Sequence, residues 1–376
     1  MRQTKYMRIA LSIILTLCVF VQFVCAQTVL ILPYNASGLM EEQKAMNPDR
    51  LAYPTELKET IKNEVSFECN MEIVGLGPFS VSATKQVIFS PGNLQFNAMQ
   101  GTHQCADGTT QQGTWRFAEH QWDYVGDATK GNVYEGETKC DNAKINATYN
   151  GWIDLFGWGT SGWSGGVNAY KPYETSQRNK DYYPGGQSNT DLTGTYAKAY
   201  WGVYNQIGED PAGTWRTLTK DEWYYLVRGR KEAEKLFGLG TVNDVPGMIL
   251  LPDDWITPEG VTFTPSTDKG LNWSSTYSFF INNNEDNYSH NVYTSAQWDK
   301  MESGGAVFLP AAGDRLNGTK VNDVLEFGNY WSTTHYSSYS PYLFTFYKGS
   351  FSPQAYSARE DGRTFGHSVR LVSDVK

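Results

Sequence analysis

Trp215-Arg-Thr-Leu-Thr219-Lys-Asp-Glu222-Trp223-Tyr-Tyr-Leu226 decides how the rest of the chain is read. Thr219 and Glu222 stand three residues apart ahead of an apolar run, so hydroxyl and carboxylate can each satisfy the other's exposed backbone amide. This capping box predicts a helix start, and Trp223, Leu226 and Val227 follow at helical spacing as its buried face. The same logic recurs at Thr294-Ser-Ala-Gln297, with Trp298 and Met301 inward and Gly304-Gly305 as the stop.

Outward from these two helices the chain reads as short strands and turns. Ala306-Val-Phe-Leu309, closed by Pro310, predicts a buried strand, and Phe79-Ser-Val81 and Val87-Ile-Phe89 predict two more. Few helices, many short strands and long Gly/Asn/Ser loops argue an α+β domain over residues 78–372. Residues 27–77 read as a leader or linker with a short helix near residues 54–63, and 373–376 as a tail. All twelve Trp lie at or after Trp115, and Trp115, Trp215, Trp223 and Trp298 are expected in the core. The loops at 146–189 and 262–293 are long yet aromatic, which argues for function over disorder.

Arg2, Lys5 and Arg8 precede an apolar run ending at Val24-Cys-Ala26, the pattern of a signal peptide over residues 1–26. The expected location is therefore secreted, periplasmic or cell-surface. Removing those three cations from 31 basic and 40 acidic residues leaves 28 against 40, a formal charge of −12. Such an acidic body is not expected to bind nucleic acid, which needs Lys and Arg to neutralise phosphates. No other apolar stretch nears the ~18 residues that span a bilayer, so no transmembrane segment is expected in the mature chain. In an oxidising compartment Cys105 and Cys140, flanking a Gly-rich stretch, are the expected disulfide, with Cys69 left odd.

Trp331-Ser-Thr-Thr-His335 through Ser368-Val-Arg-Leu-Val372 encloses six Tyr and seven Ser between residues 330 and 365, and no Asn. Recognition loops favour Tyr and Ser, since Tyr offers rigid amphipathic area and Ser adaptable hydrogen bonding. Trp331, His335, Tyr336, Tyr339, Tyr342, Tyr347, Tyr356, Arg359 and Arg363 are the expected ligand contacts, with residues 335–365 exposed and contiguous. Lys348, Arg359, Arg363 and Arg370 outnumber Glu360 and Asp361, which predicts a mildly basic surface.

The helix signature from Trp215 to Leu226 resembles the Arg-Leu-Pro-Thr-x-x-Glu-Trp helix of the formylglycine-generating-enzyme-like branch of C-type-lectin-like folds. Phe365-Gly-His-Ser-Val-Arg-Leu-Val372 resembles the strand that closes that fold, and Gly328-Asn-Tyr-Trp-Ser-Thr333 the strand before it. With Leu250-Leu-Pro-Asp-Asp-Trp255 and Val307-Phe-Leu-Pro-Ala-Ala-Gly313, the order of motifs resembles the Fibrobacter succinogenes major paralogous domain family. The layout is also similar to variable proteins of diversity-generating retroelements. The resemblance implies a C-type-lectin-like fold and binding more than chemistry. Formylglycine-generating activity depends on a Cys pair near the end of the domain, and no Cys follows Cys140.

Other constellations read less sharply. Gly162-Trp-Ser-Gly-Gly166 matches a nucleophile elbow, but neither flank reads as the strand or helix that motif needs. The five His show no metal-ligand spacing. Asn282-Asn-Asn-Glu-Asp-Asn287 offers hard oxygens of the kind calcium takes, the single cofactor the sequence suggests; otherwise none is expected. Asp253-Asp254 predicts a turn, because adjacent carboxylates point apart. The expected function is recognition of a protein or glycan outside the cytoplasm by a non-enzymatic, adhesin-like protein. The alternatives are a secreted glycan-acting hydrolase and a structural surface-assembly subunit.

Overall fold

A computed structural model describes residues 77–125, 141–265, 278–281, 288–316, 318–338, 340–347 and 362–375. They fall in one unit, Leu76–Lys376. The signal peptide, the helix at 54–63, Cys69, Cys140, the 282–287 run, Tyr339, Tyr356 and Arg359 lie outside the described residues. No described helix is long and apolar enough to cross a membrane.

The N-terminal strands are short: β1 (Phe79–Ser80) and β2 (Gln86–Phe89), then the long ribbon β3 (Leu94–Gln104) and β4 (Thr110–Phe117). The middle of the chain contributes β5 (Arg216–Thr217), β6 (Phe237–Val242), β7 (Val245–Leu250), β8 (Ser278–Ile281) and β9 (Val292–Tyr293). Then come β10 (Val307–Pro310), β11 (Asp314–Leu316), β12 (Lys320–Asn322), β13 (Phe327–His335), β14 (Pro341–Tyr347) and β15 (Leu371–Asp374). They assemble into several small sheets, in the orders β1-β2-β15-β5, β10-β7-β6-β9 and β13-β14-β8, with β3–β4 and β11–β12 as separate pairs. Most pairings are antiparallel; β14–β8 and β6–β9 are parallel.

Both predicted helices form, each with its capping box. After α1 (Trp201–Tyr204), α2 (Lys220–Tyr224) starts with Thr219 Oγ1 accepting from Glu222 N at 3.1 Å while Glu222 Oε2 accepts from Thr219 N at 2.8 Å. The backbone of α2 widens into a π-helical turn at Tyr225–Gly229. In α3 (Ser295–Ser303) the reciprocal pair is Thr294 and Gln297, with Trp298 and Met301 buried.

Three of the apolar clusters gather most of the Trp residues. Trp223 lies with Phe79, Phe89, Leu226, Val227, Tyr330, Phe344 and Val372, its ring stacked on Phe344 at 4.5 Å. Trp115, Trp158, Trp201, Trp215 and Trp331 share a second cluster, and Trp298 and Met301 a third. The four Trp expected in the core are all buried.

Among the described residues four arginines are buried as well: Arg230, Arg315, Arg363 and Arg370. Taking a guanidinium out of water is costly unless most of its donors find acceptors. Arg230 donates to the carbonyls of Leu226, Leu236 and Leu251 and pairs with Asp253 at 3.2 Å. Arg315 reaches the carbonyls of Leu155, Glu174 and Gly318, and Arg370 the side-chain oxygens of Asn93 and Gln121. Desolvation pushes the Arg230 and Arg370 guanidiniums down to about 10. The basic surface expected of Arg363 and Arg370 is therefore absent, because both side chains bind loops and strands together inside the fold.

Candidate functional site

The site is built on the β13–β14 hairpin. The two strands pair from Phe327↔Tyr347 to Trp331↔Leu343, and the register then shifts before His335↔Pro341. That irregularity frees the turn to leave the sheet plane. Tyr336 N and Ser337 N both donate to Ser340 O, at 2.9 and 3.1 Å, and Ser332 Oγ donates to Tyr342 O at 2.9 Å. Pro341 fits here because a proline at a strand's start gives up no ladder hydrogen bond.

At the turn, the Tyr336 and Tyr342 rings stand edge to face, centroids 5.3 Å apart and planes at 84°, both half-buried. Lys220 Nζ sits 4.9 Å from the Tyr342 centroid, and its backbone N donates to Thr334 Oγ1. The first turn of α2 thus supports the hairpin. His335 is held by Asp191, whose Oδ1 accepts from the backbone N at 2.7 Å and lies 2.6 Å from Nδ1. The side chains of the pair remain 27% and 36% exposed.

Beneath the turn lies Arg363. Its Nη2 donates to Ser188 O at 2.6 Å and Ser337 O at 3.0 Å, and its Nη1 to Tyr182 O at 3.5 Å. The guanidinium carbon is 4.5 Å from the Trp158 ring centroid and 5.1 Å from that of Tyr183. Burial pushes the guanidinium down to about 10, opposed by Tyr183 and Asp191.

Of the expected contacts, His335, Tyr336 and Tyr342 come together at the turn. Three others must be corrected. Trp331 is 1% exposed, with Nε1 donating to Phe156 O at 2.6 Å and its ring set edge-on to His367 at 4.5 Å. Tyr347 is buried and stacks on Phe327 at 4.8 Å. Arg363 is fully buried. The cause is shared: α2 and β14 pack on β13, and the closing segment is threaded onto it through Trp331 N donating to Ser368 O. Residues 344–347 and 362–365 are buried too, so the described part of the interval is not one continuous exposed strip.

Asp191 and Lys220 join the site although nothing in the sequence pointed to Asp191, which lies 144 residues from His335. Lys220 was legible only as the residue after a helix cap.

Elsewhere, Ser164 lies exposed in a turn between bends, without the strand and helix of an elbow. Asp253 accepts from Ser80 N and Gln86 Nε2 while pairing with Arg230, a structural tie at a turn. Cys105 is buried, with Sγ 3.9 Å from Asn205 Oδ1 and its pKa raised by burial; Cys140, its expected disulfide partner, lies outside the described residues. His367 is fully buried with neither ring nitrogen hydrogen-bonded, and burial, reinforced by Arg315, lowers its pKa to about 3. Among the described residues no group of three or more His, Cys, Asp or Glu could hold a metal ion.

Comparison with known proteins returned no matching family model, no matching curated protein and no matching solved structure.

Proposed function

We propose that this chain is a ligand-recognition protein of the cell surface or extracellular space, built on a C-type-lectin-like α+β scaffold and binding through the β13–β14 turn. The signal-peptide pattern at residues 1–26 supports export, and the acidic mature chain argues against a nucleic-acid partner. One observation carries the reading. On the hairpin Tyr330, Trp331, Phe344, Phe346 and Tyr347 are buried, whereas Tyr336 and Tyr342 at the turn are half-buried, fixed edge to face beside His335, Asp191 and Lys220. Rigid aromatic rings ringed by adaptable polar groups suit recognition, because little side-chain freedom is lost on binding. Ser164 lacks the elbow geometry, which weighs against the hydrolase alternative.

The mature chain from Gln27, immobilised and offered glycan arrays and fractionated surface proteins, should capture a ligand. The double variant Tyr336→Ala/Tyr342→Ala should lose that capture while unfolding at a temperature close to the parent's. Retained capture by a folded double variant rules out the turn as the binding face.

A further inference from the structure

We propose that the turn is one half of a composite face, whose other half is the loop at residues 185–191, and that together they take a neutral glycan. This rests on the hairpin turn being the contact face. Gly185, Gly186, Gln187 and Asn189 are exposed, and Ser188, Thr190 and Asp191 half-buried. The loop is fastened to the hairpin along its length. Asp191 Oδ1 accepts from His335 N and lies 2.6 Å from its Nδ1, and Leu192 N donates to Thr333 O at 3.2 Å. The Arg363 Nη2 bonds to Ser188 O and Ser337 O place one atom between loop and turn. A single buried guanidinium therefore sets the spacing of the two segments. The loop's reversal also depends on Gly185, at φ 57°, where a Cβ would stand 1.9 Å from Tyr196 Oη.

The chemistry offered by the joint surface selects the ligand class. Gln187 and Asn189 each present an amide that donates and accepts, as adjacent sugar hydroxyls require. Asp191 commits Oδ1 to His335 while its side chain stays 36% exposed, so the carboxylate can also accept from a ligand hydroxyl. The perpendicular Tyr336 and Tyr342 rings form a corner against which the C–H face of a pyranose can pack. The charges at the face are few and of both signs: Lys220 pairs with Asp221 at 3.2 Å, and Asp191 adds one negative charge, partly spent on His335. A polyanionic ligand gains little there. A protein partner would look for an apolar centre. Yet the exposed large apolar residues among those described, Met99, Tyr224, Ile256, Val292 and Val375, belong to neither the turn nor the loop.

The test is titration of the mature chain with the neutral hexaoses of maltose, cellulose, mannan and xylan type, with oligogalacturonate as the charged control, followed by calorimetry and saturation-transfer NMR. At least one neutral hexaose should bind. Gln187→Ala/Asn189→Ala and Tyr336→Ala/Tyr342→Ala should each weaken it by roughly tenfold or more without shifting thermal unfolding. Binding lost only in the tyrosine variant overturns the composite face and leaves the hairpin reading intact; binding unchanged in both overturns both. If no neutral hexaose binds, or only oligogalacturonate does, the neutral-glycan assignment fails. Hairpin-dependent capture of a surface protein would then show that the hairpin reading survives it.

Discussion

At one end of the β13–β14 hairpin Tyr330, Trp331, Phe344 and Phe346 are almost wholly excluded from solvent, while at the other Tyr336 and Tyr342 remain half-exposed. Residue types barely differ between the two ends. What differs is what lies on each face. The inner end is packed by Trp223 of α2 and by His367 and Ser368 of the closing segment. The outer end is met by Lys220, Asp191 and Arg363. An aromatic-rich segment therefore says little about binding until the layers above and below it are known, because a tyrosine can fill a core or span from core to water with equal chemistry.

The contrast can be broken most forcefully at the inner end. Trp331→Ala removes a fully buried indole and its hydrogen bond to Phe156 O, and should destabilise the domain by about 3–5 kcal/mol in chemical denaturation. A cost near zero would mean the inner end is no core.

Acid should weaken the same end next. Burial holds the folded His367 ring neutral down to about 3, whereas in the unfolded chain it titrates near 6.5. Protons therefore bind the unfolded state first, and stability falls as pH drops below about 6.5, levelling out near 3. From pH 7 to 5 the loss from this residue is about 2 kcal/mol. His367→Gln should flatten that slope; an unchanged slope would place the acid sensitivity elsewhere.

Helix α2 supports both ends at once, through Trp223 on Phe344 and Lys220 on Tyr342. Thr219→Ala removes its cap and should cost about 1 kcal/mol. A chemical-shift comparison should find both Phe344 and Tyr342 displaced, and movement at only one would separate the two ends. A comparably small effect belongs to the turn: Tyr342→Ala loses the edge-to-face contact with Tyr336 and the Lys220 contact and should cost about 0.5–1.5 kcal/mol. A loss as large as that of Trp331→Ala would erase the distinction between core and face.

Much of the scaffold could be read locally. The Thr219/Glu222 and Thr294/Gln297 boxes, the inward Trp223 and Trp298, and the strands beginning at Phe79 and before Pro310 all depend on neighbours a few residues away. The site was legible only in part. His335, Tyr336 and Tyr342 do meet at the turn, but Trp331, Tyr347 and Arg363 are buried, and Asp191, which holds His335, carries no local signal.

By itself, the sequence determined where helices start, which residues crave burial and where the aromatic hairpin lies, because caps, periodicity and turn chemistry are short-range. Tertiary structure alone decided which aromatics reach water and which charges do not. A guanidinium such as Arg363 has no intrinsic side. It goes inside because Tyr182, Ser188 and Ser337, distant in the chain, bring three carbonyl oxygens to one place beside the Trp158 and Tyr183 rings.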